Sequence, residues 1–161
     1  MVSKKVLKLL NEQVALESES SNIYLAMASW AEANGWKGTA KFMVAQAEEE
    51  RGHMKKIIHF IHEIGEQPVI MGMKDPENMF KDIKDIFEQT LKHEKKITAS
   101  INNIMTEARK NNDYAATTFL QWFISEQVEE EANVVAILDV IKKAGQVSIY
   151  LADKEIGALR P

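Results

Sequence analysis

The stretch FISEQVEEEANVVAIL, residues 123 to 138, places four glutamates in a segment that is otherwise rich in apolar residues. With successive residues of a helix ~100° apart around its axis, Glu130 falls in the same arc as Phe123, Val134 and Ile137. The pattern therefore predicts a helix with at least one carboxylate on its buried face. Such a group requires a partner, because an unpaired ion in a protein interior costs on the order of several kcal/mol.

The three other long amphipathic segments each have a glutamate at the centre of the apolar face, namely Glu17, Glu50 and Glu94. Each glutamate is near the middle of its segment, so the four carboxyl groups are expected at one level of the core. A single glutamate on an apolar face is usually part of a salt bridge, and runs of glutamate are usually solvated. Four converging carboxylates, with no lysine or arginine on these faces, instead indicate protonation or a bound metal.

Apolar residues at helical spacing predict four long helices and a short fifth one, at about 3–33, 39–64, 79–110, 113–144 and 147–159. The connection at 66–78 carries two prolines and is long enough, at ~50 Å when extended, to cross a helix of ~42 Å. The fold class expected is all-α: a four-helix bundle at 3–145 with a long crossover between helices two and three. The 161 residues are expected to form one domain.

The short fifth helix is predicted to lie beyond the bundle and to contact other subunits. Its expected apolar side consists of Ile149, Leu151, Ile156 and Leu159.

Composition narrows the classes of partner. The chain has no cysteine, which excludes disulfides and thiolate metal sites and fits a reducing compartment. No apolar run approaches the ~20 residues that span a bilayer, and no signal segment is recognisable, so a cytoplasmic protein that binds no membrane is expected. The net charge of −4 and the scattered lysines argue against nucleic acid. A cation is the favoured partner.

The two halves of the chain also resemble each other. With a shift of eighty positions, Glu49 and Glu50 align with Glu129 and Glu130. His53 follows Glu50 by three residues and completes an E-x-x-H pair, the motif of di-iron carboxylate bundles. The position equivalent to His53 in the second half is Asn133, so the second E-x-x-H pair is absent.

At these residues the sequence resembles the bacterial non-haem ferritins over essentially its whole length. The resemblance implies three groups of iron ligands: Glu17, Glu50 and His53 at a first site; Glu94 and Glu130 at a second, with Glu50 bridging and Gln127 close by; and Glu49, Glu126 and Glu129 at a third. Tyr24 matches the tyrosine beside the di-iron centre. It either donates a hydrogen bond or an electron there, or is a core tyrosine with a satisfied hydroxyl.

The resemblance implies an iron-storage protein with ferroxidase activity. Such a protein oxidises Fe(II) with O₂ or H₂O₂ and deposits Fe(III) oxo-hydroxide inside an octahedral shell of 24 identical subunits. Haem-binding bacterioferritins carry a methionine where this chain has Arg51, so no haem is expected. Two alternatives remain open: a di-iron peroxidase or oxidase that detoxifies without bulk storage, and a plain structural bundle whose glutamates are protonated or face water.

Overall fold

The chain folds as a bundle of four long helices with a short helix at one end. In the computed structural model, which describes residues 2–145 and 148–159, the elements are α1 (Lys4–Ala33), α2 (Lys37–Glu63), α3 (Ile83–Lys110), α4 (Tyr114–Ala144) and α5 (Ile149–Ala158). The predicted fold class is confirmed. None of these helices is both long enough and apolar enough to cross a membrane.

The segment between α2 and α3 runs along the surface of α1. The amide of Val69 donates to Asn11 Oδ1 at 2.7 Å, and the hydroxyl of Ser18 lies 3.6 Å from Met73 Sδ. Both contacts join the connection to α1, as expected for a crossover that returns the chain to the other end of the bundle.

The third helix begins at Ile83, so the prediction of a start near residue 79 is wrong by four residues. The reason is a local cap. Asp82 Oδ1 accepts from the amide of Asp85 at 2.8 Å, and Asp85 Oδ2 accepts from the amide of Lys81 at 3.0 Å. These bonds satisfy amides that have no partner within the helix and fix its first residue.

The second helix begins at Lys37, two residues before its predicted start, and its cap comes from α5. The residue before α2, Trp36, makes no capping bond with its side chain. The buried carboxylate of Asp153 accepts from the amides of Gly38 and Thr39 at 2.9 and 2.8 Å, and from the Thr39 hydroxyl at 2.7 Å. Asp153 therefore caps the N-terminus of α2, although it is distant from that helix in sequence.

The helices α2 and α5 approach so closely that two glycines are needed at the contact. A Cβ on Gly38 would lie 1.8 Å from the carbonyl oxygen of Asp153, and a Cβ on Gly157 would lie 2.7 Å from the Cα of Gly38. Of the predicted apolar side of α5, Ile156 is buried against the bundle, whereas Leu151 and Leu159 are exposed in the single chain. The buried side includes Asp153, a polar residue that an apolar pattern does not select.

The apolar core is divided into two clusters. One contains Tyr24, Ala47, Phe87 and Val134. The other contains Val14, Ile57, Ile97 and Phe123. Along each long helix, the chain passes from one cluster to the other at its central glutamate, as Val14, Glu17 and Tyr24 illustrate on α1. A polar layer therefore separates two apolar halves of the core.

Candidate metal centre

The polar layer contains one glutamate from each long helix. The side chains of Glu17, Glu50, Glu94 and Glu130 are at most 2% exposed, and no lysine or arginine is buried in the described part of the chain. The helical positions predicted from the sequence are therefore confirmed as buried. Carboxylates in this setting are stable only when protonated, hydrogen-bonded or bound to a cation.

Two of these glutamates and one histidine form a compact set of ligand atoms. Glu17, Glu50 and His53 each offer one such atom, and the three atoms lie within 4.8 Å of one another. His53 Nδ1 is 3.1 Å from Glu50 Oε2, as the i, i+3 spacing on α2 predicts. This set matches the predicted first site and has the oxygen and nitrogen donors that a transition metal accepts.

Glu94 is held by a hydrogen bond at each oxygen. The Tyr24 hydroxyl donates to Oε1, and the Gln127 amide donates to Oε2 at 3.0 Å. Tyr24 is fully buried, and both donors come from helices other than α3, which carries Glu94. Tyr24 and Gln127 therefore both contact Glu94, a carboxylate of the second predicted site.

Glu130 accepts a hydrogen bond from a residue that sequence reasoning missed. The amide of Gln46, on α2, donates to Glu130 Oε2 at 2.7 Å. Glu94 and Glu130 both raise the pKa of Glu50, so the carboxyl groups of the polar layer interact electrostatically. Among the described residues, Glu94 and Glu130 do not join the compact set formed around His53.

Burial dominates the electrostatics of the layer. Burial raises the pKa of Glu17 well above its usual value, and the charge of Glu50 raises it further. The pKa of Glu50 is raised first by burial and then by Glu94. The pKa of Glu94 is raised by burial, although the hydrogen bonds from Tyr24 and Gln127 oppose the shift. The pKa of Tyr24 is raised by burial and by Glu94, so its hydroxyl keeps its proton and remains a donor.

A second set of ligand atoms adjoins the first. Glu49, His53 and Glu126 offer three atoms within 4.8 Å of one another, and His53 Nε2 lies 4.0 Å from Glu126 Oε1. Glu129, the remaining member of the predicted third site, is exposed on α4 and lies outside this set. The imidazole of His53 thus faces both sets, one with each ring nitrogen, which the sequence alone did not predict.

Aromatic side chains fix the plane of the His53 ring. Its centroid lies 5.3 Å from that of Trp122 and 5.9 Å from that of Phe123, both with edge-to-face geometry. The ammonium group of Lys56 lies 4.1 Å from the centroid of the Trp122 ring. These contacts restrict rotation of the imidazole, which favours a preformed ligand over one that must be ordered by a cation.

Glutamines supply most of the hydrogen bonds to the layer. Gln13 is fully buried and donates to Glu17 Oε1 at 2.8 Å. Gln13 lies four residues before Glu17, and Gln46 lies four residues before Glu50. Residues at this spacing share a face of a helix, so the sequence could have identified both glutamines.

The comparisons with known proteins agree with the observed fold. A model of the ferritin-like domain matches residues 7–144. A probable bacterial non-heme ferritin-like protein of Haemophilus influenzae is 41% identical over 161 residues, which cover 99% of this chain and 98% of the relative. A bacterial non-heme ferritin of Campylobacter jejuni is 43% identical, with 97% and 95% covered. The solved structure of an open pore ferritin from Archaeoglobus fulgidus superposes with a TM-score of 0.96 at 32% identity and covers both chains completely. With its domain, its relatives and its fold in agreement, the chain belongs to the ferritin family.

Proposed function

We propose that this protein stores iron. Fe(II) binds in the polar layer of the bundle, is oxidised there by O₂ or H₂O₂, and is deposited as Fe(III) oxo-hydroxide inside a hollow shell. The observation that carries the proposal is the compact set of Glu17, Glu50 and His53, three buried side chains from two helices whose ligand atoms lie within 4.8 Å of one another.

The ligand types suit Fe(II) as a substrate. Carboxylate oxygens with a single imidazole favour a hard, labile divalent ion, and anionic ligands stabilise Fe(III) more than Fe(II). The potential of the pair is thereby lowered, which assists transfer of electrons to the oxidant. In the proposed arrangement Glu17 and His53 bind one iron, Glu94 and Glu130 bind the other with Gln127 nearby, and Glu50 bridges the two.

Proton release accompanies iron binding. Burial raises the pKa of Glu17, Glu50 and Glu94, so these groups hold protons to higher pH than exposed glutamates do. Fe(II) binds the deprotonated form and displaces those protons. Tyr24 keeps its own proton and, through its bond to Glu94, holds one ligand of the second iron in place.

A third iron is proposed beside the first two. Glu49 and Glu126 bind it together with Glu129, which reaches it from the exposed side of α4. His53 lies between this position and the di-iron centre. Because Glu49 and Glu126 are only partly buried and Glu129 is exposed, a cation there can exchange with solvent more readily than one in the buried layer.

The shell is proposed to contain 24 copies with octahedral symmetry. Large apolar side chains remain exposed on the crossover and on α5, among them Ile70, Met79 and Leu151. Exposed apolar residues grouped in this way are typical of subunit interfaces.

Sizing combined with iron analysis tests the proposal. Metal-free protein is titrated with Fe(II) under anaerobic conditions, then exposed to air while absorbance and iron per chain are followed. A large shell that takes up far more iron than its ligand sets can hold supports storage. A small oligomer that stops at about two irons per chain, as a di-iron enzyme would, supports the peroxidase or oxidase alternative. No bound iron would mean a structural bundle.

A further inference from the structure

Of the four glutamates in the stretch 123–138, Glu131 is the one that belongs to none of the proposed ligand sets. It lies four residues after Gln127 on α4, so the two side chains share a face of that helix. Both line a groove between α3 and α4 with a volume of about 290 Å³. The groove leads from solvent towards the core, because Val128 on its wall is 70% exposed whereas Gln127 is buried.

A chain of hydrogen bonds connects Glu131 with a proposed ligand of the second iron. The Thr98 hydroxyl, on α3, donates to Glu131 Oε1 at 2.6 Å. The Gln127 amide donates to Glu94 Oε2 at 3.0 Å, and its nitrogen lies 3.3 Å from Thr98 Oγ1. Gln127 is therefore both part of the groove lining and a direct partner of Glu94.

The Gln127 amide is not committed to a single partner. Its nitrogen carries two hydrogens but has three oxygens within reach: Glu94 Oε2 at 3.0 Å, and the Glu94 carbonyl and Thr98 Oγ1 at 3.3 Å each. Because two hydrogens cannot serve three acceptors fully, the amide can turn from one oxygen to another and still keep a partner. It can therefore move aside without leaving a buried donor unpaired.

The electrostatics of the groove favour a cation. The pKa of Glu94 is raised by burial, and the negative charge of Glu131 adds to the rise, so the field of Glu131 extends to the ligand. A divalent cation in the groove is attracted by the same field. Among the described residues that line the groove there is no lysine or arginine to oppose it.

We propose that Fe(II) reaches the second iron position through this groove, where Glu131 attracts the ion and Gln127 turns aside to admit it. Carboxylate, hydroxyl and amide oxygens along the groove suit a hard divalent ion that exchanges its water ligands on the way. The inference rests on the proposed function, since the route ends at Glu94 and Glu130. The competing route enters past Glu49 and Glu126, at the third ligand set.

The order of mixing separates delivery of iron from its oxidation. In the first arm, Fe(II) at about two ions per chain is mixed with aerated protein, at a concentration to which the parent rate is proportional. Fe(III) absorbance is followed by stopped flow. In the second arm, the same amount of Fe(II) is bound anaerobically before oxygen is added.

The principal variant is Glu131→Gln, which keeps the size of the side chain and an acceptor for Thr98 but removes the charge. We expect it to slow the first arm by roughly tenfold, the lower end of the range for electrostatic guidance in a cleft. The second arm should proceed at the parent rate, because the iron is already in place. Added salt should reduce the difference in the first arm, since it screens a partly exposed charge.

A second variant obstructs the groove without changing charge. Val128→Trp places a large ring at the exposed wall and should slow the first arm alone. Val135→Trp makes the same change at another exposed valine of α4, outside the groove lining, and Asp139→Asn removes an exposed charge of the same helix. Both controls should match the parent in both arms, and sizing checks that all variants assemble alike.

A parent-like first arm in either Glu131→Gln or Val128→Trp would overturn the route. Slowing that persists in the second arm would also overturn it, because these residues would then affect the oxidation or the access of the oxidant. Anaerobic Fe(II) titration at equilibrium distinguishes failure of the route from failure of the proposed function. If the parent binds no Fe(II), both proposals fail; if parent and variants bind it equally and no arm is slowed, only the route is wrong.

Discussion

The amide of Gln46 on α2 donates a hydrogen bond of 2.7 Å to Glu130 on α4, so a side chain of one helix fixes a proposed iron ligand on another helix. Gln46→Leu should therefore weaken the second Fe(II) site by roughly tenfold and leave the first site close to its parent affinity. Anaerobic Fe(II) calorimetry resolves the two steps. Equal weakening of both would show that Gln46 supports the whole layer rather than Glu130.

The third site should depend on Glu126 more than on Glu129. Glu126 lies in the ligand set with Glu49 and His53, whereas Glu129 is exposed outside it. Glu126→Ala is expected to remove a third iron from anaerobic titrations, and Glu129→Ala to reduce its affinity by a smaller factor. The two substitutions are matched in size and charge. A larger effect of Glu129→Ala would require the exposed carboxylate to turn inward on iron binding.

Two glutamate-to-glutamine substitutions should change the stability of the metal-free protein in opposite directions. Glu17 accepts from Gln13 at Oε1 and its carboxyl group also interacts with that of Glu50, so Glu17→Gln keeps the acceptor and removes the charge repulsion between the two glutamates. Glu94 accepts at both oxygens, so Glu94→Gln must turn an amide nitrogen towards a donor. At ~1 kcal/mol each, the melting temperature should rise by ~2–4 °C in the first and fall by as much in the second.

The same variants can be compared with Zn(II) bound. The parent should gain stability when Zn(II) binds the folded site, and both variants should gain less, because each has lost an anionic ligand. If Glu17→Gln instead lowered the melting temperature of the metal-free protein, the Glu17 carboxylate would be contributing to stability, as the structural-bundle alternative requires.

The stability of the metal-free protein should fall as pH rises above the acidic range. The folded-state pKa values of Glu17, Glu50 and Glu94 are raised above 4.5, so the folded chain binds these protons more tightly than the unfolded chain does. Their stabilising contribution is complete below that value and is lost as pH rises through the raised folded-state pKa values. Burial lowers the pKa of His93 from 6.5 to about 4, which makes stability rise with pH up to its usual value, so the measurement begins above that value. Melting temperatures measured from about pH 7 to about pH 9 should therefore decrease.

The measurement excludes low pH, where protonation of other carboxylates lowers the stability of the folded protein. The pKa values of Asp85 and Glu107 are lowered, and their contribution is lost only as pH falls towards those values. Saturating Zn(II) should flatten or reverse the slope, because the cation binds the deprotonated groups. A rising melting temperature in the metal-free protein would mean that the layer is already ionised when folded.

Removal of the Asp153 carboxylate should destabilise one end of the bundle without changing the metal centre. Asp153→Ala deletes three hydrogen bonds to the first turn of α2 and should destabilise the chain by ~1–2 kcal/mol, the scale for loss of an N-cap. Zn(II) affinity should be unchanged. The control is Asp139→Ala, at an exposed position of α4, which should melt as the parent does. Equal melting of the two variants would show that the cap contributes nothing.

The fold and the central glutamates were predictable because both follow from a helical period. Glu17, Glu50, Glu94 and Glu130 are buried where the pattern places them, and the boundaries of α1 and α4 agree within one residue. The start of α3 was missed although Asp82 and Asp85 stand in the sequence as a cap, because the apolar residues around Phe80 extend the periodic pattern beyond the helix.

The helical period of the sequence does not predict contacts between residues that are far apart along the chain. The bond between Ser100 and Gln13 joins residues 87 apart, and nothing in either local sequence selects the other. The burial of Asp153 has the same origin, since its partners Gly38 and Thr39 lie on another helix. Helical spacing locates a side chain on a face, but tertiary packing decides which polar groups on that face become partners.

The cap that Asp153 provides for α2 also constrains the order in which a nascent chain can mature. Gly38 and Asp153 are 115 residues apart, so the first turn of α2 has no cap until Asp153 has been synthesised. The first helical hairpin can form earlier on the ribosome, but its second helix is completed only after α5 emerges. Completion of α2 is thereby coupled to synthesis of α5, and a chain truncated before α5 leaves the start of α2 uncapped.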